Sequence, residues 1–72
     1  MDGYQALANA IVKQAAMDYM SAVKYLKNHP DSRNAMEKAM ECERFFHSDW
    51  YETLTDVDAD YLIERLRKKV LG

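Results

Sequence analysis

Three aspartates at alternate positions, Asp56, Asp58 and Asp60, are the part of this sequence that most resembles a metal site. A calcium loop opens with this spacing, but it needs glycine at its sixth position and glutamate at its twelfth. Those two positions hold Tyr61 and Arg67. Aspartates also suit the first turn of a helix, where the helix dipole favours negative charge. The pattern therefore predicts helix capping, and we expect neither a metal site nor a cofactor.

A second candidate for chemistry is the pair Cys42 and His47, a nucleophile and a base in one segment. Five positions along a helix rotate the second side chain by about 140° from the first, so the two do not face one site. Cys42 is the only cysteine and is predicted to be a small buried hydrophobe, as free cysteines commonly are. The sequence also lacks the paired ligand spacing of a zinc site. With no convergent acid, base or nucleophile, we predict that the chain is not an enzyme.

The segment around these residues, Glu41 to Tyr51, contains four of the eight aromatic residues. Glu43 falls beside Trp50 on the edge of the apolar face of a helix, where a carboxylate needs a partner. It is expected either to make a salt bridge or hydrogen bond that fixes a bend, or to be a polar point in a recognition surface. Phe46 and Trp50, four positions apart, are predicted to be core. The outward edge of the segment would then be Glu43, His47, Asp49 and Tyr51.

The elements that position these residues begin with a long helix over residues 3–28. Asp2 is its candidate N-cap, and Pro30 should end it because proline disfavours helical backbone in the preceding residue. Sixteen of the 23 residues from Tyr4 to Leu26 are apolar, which is more than one buried stripe needs. Helical periodicity predicts one core face, made of Ala8, Ile11, Val12, Ala15, Tyr19, Ala22, Val23 and Leu26. Further apolar residues point elsewhere, among them Leu7, Met17, Met20 and Tyr25.

The rest of the chain predicts helices over residues 32–47 and 57–70, with a short helical turn over 49–54. Asp31 or Ser32 is expected to cap the second helix, and Thr55 with Asp58 forms a capping-box pattern before the last one. A short connection forces the first two helices to run antiparallel. The sequence thus predicts one all-α domain over residues 1–72. Its architecture would be a long antiparallel hairpin plus a shorter C-terminal helix, a three-helix bundle.

Composition narrows the classes of function. Apolar residues make up 49% and charged residues 31% of 72 positions, which is typical of a small globular domain with a lean core. A formal charge of −2 argues against a nucleic-acid binder. The sequence offers no signal-peptide pattern and no run long enough to span a membrane. We expect a cytoplasmic protein with no membrane partner.

The segment from Glu41 to Tyr51 fits the pattern E-C-E-R-F-F-x-S-D-W-Y, and L-T-D-V-D-A-D-Y-L-I follows it from Leu54 to Ile63. Over roughly residues 10–70 the chain resembles small, mostly uncharacterised helical proteins encoded by phages, prophages and mobile elements of Gram-positive bacteria. His47 and Ala59 stand at positions where the resemblance implies a basic residue and a glycine. The resemblance carries over no catalytic residue. It implies an accessory protein that binds and modulates a host or phage component, including bacterial defence machinery, as an anti-CRISPR protein does.

The first hypothesis for function is accordingly a protein-interaction module in a bacterial host cell. Its surface would combine the acidic residues from Asp49 to Asp60 with Met17, Met20 and Tyr25, the spare apolar residues of the first helix. Self-association into a homo-oligomer is also expected, because a chain of this size has a lean core and a surplus of apolar surface. The candidate binding residues are Met17, Met20, Tyr25, Glu43, His47, Asp49, Tyr51, Glu52, Asp56, Asp58 and Asp60.

Two other hypotheses involve the basic residues. The chain could be a nucleic-acid adaptor, which would use Lys13, Lys24, Lys27, Arg65, Arg67, Lys68 and Lys69 and would bind with steep salt dependence. It could instead be an oligomeric sponge for a small anionic nucleotide signal, held in a pocket between protomers. The sponge needs basic residues that face inward, such as Arg44.

Overall fold

The computed structural model of the chain describes residues 3–72, which form four α-helices joined by short loops. They are α1 (Gly3–Asn28), α2 (Arg33–Phe46), α3 (Asp49–Leu54) and α4 (Ala59–Leu71). Residues 3–72 contain no β-strand, so the prediction of an all-α fold with a long hairpin and a shorter C-terminal helix is confirmed. No helix in that range is long and apolar enough to cross a bilayer. The predicted cap at Asp2 lies outside the described residues.

The turn between α1 and α2 is short and fixed by hydrogen bonds. His29 N donates to Tyr25 O at 2.8 Å and closes the last turn of α1, and Ser32 N donates to His29 O at 3.0 Å. Of the two candidate caps, Ser32 is the one used, since its side chain accepts a hydrogen bond from Ala35 N at 3.2 Å. Pro30 lies in this turn, so the chain reverses and α2 runs back along α1.

Small residues line the contact between α1 and α2 and let the two helices approach closely. Ala22 on α1 and Ala35, Ala39 and Cys42 on α2 are all buried. Large aromatic residues fill the space beyond this seam, and the largest fully buried side chains are Tyr19, Phe46 and Tyr51. Their rings pack edge to face, as aromatic pairs prefer, with centroids 5.9 Å apart for Tyr19 and Phe46 and 5.7 Å for Phe46 and Tyr51.

A break at Ser48 separates α2 from α3 and redirects the chain. Ser48 has extended backbone, and its hydroxyl donates to Phe45 O at 2.6 Å while accepting from Tyr51 N at 3.2 Å. The prediction that Trp50 is core, made by counting four positions from Phe46, is wrong because the helix does not continue through this break. Tyr51 turns inward and is 2% exposed, whereas Trp50 is 61% exposed.

The last helix begins two residues later than predicted. Asp58 is its N-cap and accepts a hydrogen bond from Tyr61 N at 2.9 Å. Thr55 is instead the C-cap of α3, and its hydroxyl accepts from Val57 N at 3.2 Å. The prediction of a capping box before a helix that starts at residue 57 is therefore wrong for Thr55, which does not cap α4. The helix α4 then packs on α1, with Leu66 buried in the core.

Candidate functional site

The best-defined polar contact in the structure joins α1 to α2. Tyr19 is 1% exposed, and its hydroxyl donates a 2.6 Å hydrogen bond to Oε2 of the half-buried Glu43. Burial, reinforced by the adjacent Glu43 carboxylate, raises the pKa of the Tyr19 hydroxyl well above its usual range. Of the two roles considered for Glu43, this contact supports the structural one, a hydrogen bond that fixes the end of α2.

Cys42 and His47, the candidate nucleophile and base, have different surroundings. Burial raises the pKa of the Cys42 thiol, so its reactive thiolate is disfavoured. His47 lies outside α2 as its C-cap and is exposed, with Nε2 3.5 Å from Oδ1 of Asp60 in the first turn of α4. Residues 3–72 contain no group of three His, Cys, Asp or Glu side chains arranged to hold a metal ion.

Of the six acidic residues predicted to belong to a binding surface, five are exposed and Glu43 is half-buried. Two belong to the first turn of α3 and one to the first turn of α4, where negative charge stabilises a helix N-terminus. Asp58 has a defined structural task as the cap of α4. The five exposed acidic residues are Asp49, Glu52, Asp56, Asp58 and Asp60.

The apolar residues predicted to belong to the same surface are divided between two sides of α1. Met17 and Met20 line a cleft between α1 and α4. Tyr25 lies on the side of α1 that faces α2, and its ring stacks on His29 with centroids 4.3 Å apart. The prediction that Tyr51 belongs to an exposed binding surface is wrong, because its side chain is buried. The eleven predicted residues therefore do not form one site.

A different apolar surface lies between the N-terminal half of α1 and the short helix α3. It is a groove of about 290 Å³, which we call the α1–α3 groove. Three of its side chains are large and well exposed: Tyr4 at 61%, Leu7 at 60% and Trp50 at 61%. The polar groups among the lining side chains are the hydroxyls of Tyr4 and Thr53 and the indole N–H of Trp50. The full lining is Tyr4, Leu7, Ala8, Ile11, Trp50, Thr53 and Leu54.

The lengths of the helices explain why this groove is open. With 26 residues, α1 is about 39 Å long, whereas the 14 residues of α2 span only about 21 Å. The six residues of α3 cover part of what remains, where Ala8 is buried, but they leave Tyr4 and Leu7 uncovered. Sequence reasoning missed the groove because it placed Trp50 in the core. The available signal was the surplus of apolar residues on α1, including Leu7 outside the predicted core face.

Comparisons of the chain with protein-family models, with curated proteins and with solved structures each returned no match. The fold and the site thus define only a class of protein. It is a small all-α protein in which a long helix is covered along part of its length and leaves an apolar groove at its N-terminal half.

Proposed function

We propose that this chain is a small accessory protein of the phage or mobile-element type, which acts in the cytoplasm of a bacterial host by binding a host or phage protein. The α1–α3 groove carries the proposal, because three large apolar side chains in it are more than half exposed. Exposed apolar clusters mark interaction sites, and Trp and Tyr contribute disproportionately to binding energy. The sequence resemblance favours a target in a bacterial defence system, and binding of this chain would inhibit that target.

The charge beside the groove indicates the chemistry of the partner. Both charged residues of α3, Asp49 and Glu52, are acidic and exposed, and the groove lining contains no charged side chain. Acidic residues on the helix that forms one wall of an apolar groove favour a partner with apolar anchors flanked by Lys or Arg, because complementary charge speeds encounter and selects the partner. An amphipathic helix with one apolar face and basic flanks fits a groove of this kind.

Peptide binding tests this directly, with Trp50 as the reporter because it is the only tryptophan and lines the groove. An amphipathic helical peptide of Leu and Lys should shift the Trp50 fluorescence to shorter wavelength as the indole leaves water. A peptide with Glu in place of Lys should not. Equal shifts with both peptides, or none with either, would contradict the assignment of the groove to a basic partner.

Capture from host cells tests the biological part of the proposal. A host protein that cross-links to the natural chain should be lost with Trp50→Ala and with Leu7→Lys. The same protein should be retained with Tyr61→Ala, which removes a similarly exposed aromatic residue from α4, outside the groove. A partner retained by both groove variants binds elsewhere, and the groove then has no part in its recognition.

Two alternative proposals involve the binding of anions. Nucleic acid would have to bind the basic residues of α4 and of the C-terminal half of α1, and a salt-dependent mobility shift with short DNA or RNA would establish it. A sponge would hold a small anionic nucleotide signal in a pocket between protomers, lined by basic residues such as Arg44, which is exposed on α2 of the single chain. Calorimetry with nucleotide signals tests it. Neither alternative uses the α1–α3 groove.

Self-association belongs to the same proposal. Apolar side chains are also exposed outside the groove, for example Met36 and Met40, four positions apart on α2. We therefore expect a weak homo-oligomer, in keeping with the lean core of a small domain. Light scattering over a concentration series tests it, and a monomer at high micromolar concentration would remove this part of the proposal.

A further inference from the structure

A second concave surface lies where the C-terminal half of α1 meets the end of α4. It encloses about 500 Å³, and we call it the lysine cleft. It is separate from the α1–α3 groove, with which it shares no residue. Its lining residues are Met17, Met20, Ser21, Lys24, Lys27, Asn28, Lys69 and Val70.

The charge of this cleft is opposite to that of the protein. Lys24 and Lys27 from α1 and Lys69 from α4 line it, and no carboxylate side chain does, although the chain as a whole carries a net charge of −2. Among residues 3–72, no carboxylate lies within 4.0 Å of any of these three amino groups. Like charges that converge on one concave site repel each other and concentrate positive potential there, so an anion that enters is attracted by all three.

Helix-end preferences account for only part of this arrangement. Lys27 and Lys69 lie in the last turns of α1 and α4, where the helix dipole favours a cation. Lys24 lies before the last turn of α1, and the dipole effect falls off within that turn. The dipole also gives no reason for two helices to end beside each other with their cations around one cleft.

The floor of the cleft is apolar. Met17 is 48% exposed, and Met20 and Val70 are partly buried. Methionine side chains are flexible and polarisable and adapt to flat aromatic groups. Ser21 and Asn28 add hydroxyl and amide groups at the edge, which can exchange hydrogen bonds with a ligand.

We propose that the lysine cleft binds a small organic phosphate, in which a group with several negative charges is joined to an apolar or aromatic body. The phosphate groups lie among Lys24, Lys27 and Lys69, and the apolar body rests on Met17, Met20 and Val70. The site is complete within one protomer, so it differs from a pocket shared between protomers. A nucleoside triphosphate is the simplest probe with both parts.

The test is an NMR titration of the full chain, labelled with nitrogen-15, using three probes. Adenosine triphosphate should shift the amide signals of Ser21, Lys24, Asn28 and Val70. Inorganic triphosphate should shift the same signals at higher concentration, because it has the charge without the apolar body. Adenosine, which lacks the charge, should leave them unchanged. If adenosine triphosphate does not move these signals at low salt, or if inorganic triphosphate binds as tightly as it does, the proposal is overturned.

Matched variants give the second readout. Lys24→Gln and Lys69→Gln should each weaken binding of adenosine triphosphate by roughly threefold to fivefold, the upper part of the range for one exposed charge contact. Lys38→Gln makes the same change of charge on α2, outside the cleft, and should change the affinity by less than about twofold. Equal effects of all three variants would mean that net charge alone attracts the anion, which would also overturn the site. The emission of Trp50 should stay constant throughout, so this result stands apart from any result at the α1–α3 groove.

Discussion

The hydroxyl of Tyr19 donates a 2.6 Å hydrogen bond to Oε2 of Glu43, which ties the middle of α1 to the last turns of α2. The hydroxyl is in a residue only 1% exposed, and the carboxylate is half-buried. Each group therefore satisfies the other in a place where water has little access. The two form an interdependent pair, because a buried polar group that loses its partner keeps the cost of its desolvation.

A double-mutant cycle should detect this coupling. Tyr19→Phe and Glu43→Ala should each lower the free energy of unfolding, and the two losses should be less than additive by about 1.5 kcal/mol or more, as for a hydrogen bond to a charged group. Urea denaturation measures all four proteins. Glu41→Ala, an exposed acid on the same helix, should change stability by less than about 0.5 kcal/mol. Additive effects of Tyr19→Phe and Glu43→Ala would contradict the coupling.

Tyr51→Phe should change the free energy of unfolding in the opposite direction from Tyr19→Phe. The Tyr51 hydroxyl is buried and has no hydrogen-bond partner within residues 3–72. Tyr51→Phe removes a desolvated polar atom while keeping the ring that packs against Phe45 and Phe46. It should raise the free energy of unfolding by about 1 kcal/mol, whereas Tyr19→Phe lowers it. A loss of stability on Tyr51→Phe would show that the hydroxyl has a bonding partner in solution.

Alkaline pH should destabilise the protein partly through Tyr19. The pKa of Tyr19 is raised in the folded state, so above the usual tyrosine value of 10.0 the unfolded chain loses this proton first. The stabilisation is complete below that value and falls as pH rises towards the folded pKa, by up to about 1.4 kcal/mol per pH unit. Urea midpoints from about pH 8 to about pH 11 should therefore decline more steeply for the natural chain than for Tyr19→Phe. Parallel declines would refute the shift.

Trp50 and Tyr51 are neighbours in sequence with opposite environments. Trp50→Ala should leave the free energy of unfolding within about 0.5 kcal/mol, because its ring is largely in water. Tyr51→Ala should cost about 3 to 5 kcal/mol, since it empties a packed aromatic site. Acrylamide should quench Trp50 in the folded protein nearly as well as in urea. A strongly protected Trp50 in a monomer would contradict the open α1–α3 groove.

Periodicity was a reliable guide inside the long helices. The spacing of apolar residues in α1 predicts a core face in which Ala8, Tyr19, Ala22 and Val23 are buried, and Cys42 and Phe46 on α2 are buried as predicted. One helical period holds within one helix, so each such residue can be placed by counting. Pro30 likewise signals the turn, because its constraint on the backbone is local.

Prediction failed where the outcome depended on a break in the helix or on relative helix length. Extending the helical spacing of α2 past Ser48 exchanged the predicted environments of Trp50 and Tyr51. The residues of α3 do not continue the spacing of α2, because a new helix begins after the break. The α1–α3 groove and the lysine cleft each depend on where a second helix ends against α1. That relationship is tertiary, so the sequence does not show which surfaces Leu7 and Lys69 line. The surplus of apolar residues on α1 indicates only that part of the helix is left uncovered.

The break itself provides the last prediction, because Ser48 serves two helices at once. Its hydroxyl donates to Phe45 O in the last turn of α2 and accepts from Tyr51 N in the first turn of α3. Ser32 has one such bond, from Ala35 N. Ser48→Ala should therefore lower the free energy of unfolding by about 1 to 2 kcal/mol, and Ser32→Ala by less, near the lower part of the usual range for caps.

Ser48 also sets the direction in which α3 leaves the core, so its loss should reach the groove. In the Ser48→Ala variant, Trp50 emission and affinity for the Leu and Lys peptide should both change, whereas Ser32→Ala should leave both unaltered. Thermal unfolding and the peptide titration on the two variants measure these effects side by side. Equal stability losses with unchanged Trp50 emission would mean that packing of Tyr51 alone orients α3. The hydroxyl of Ser48 would then be an ordinary cap.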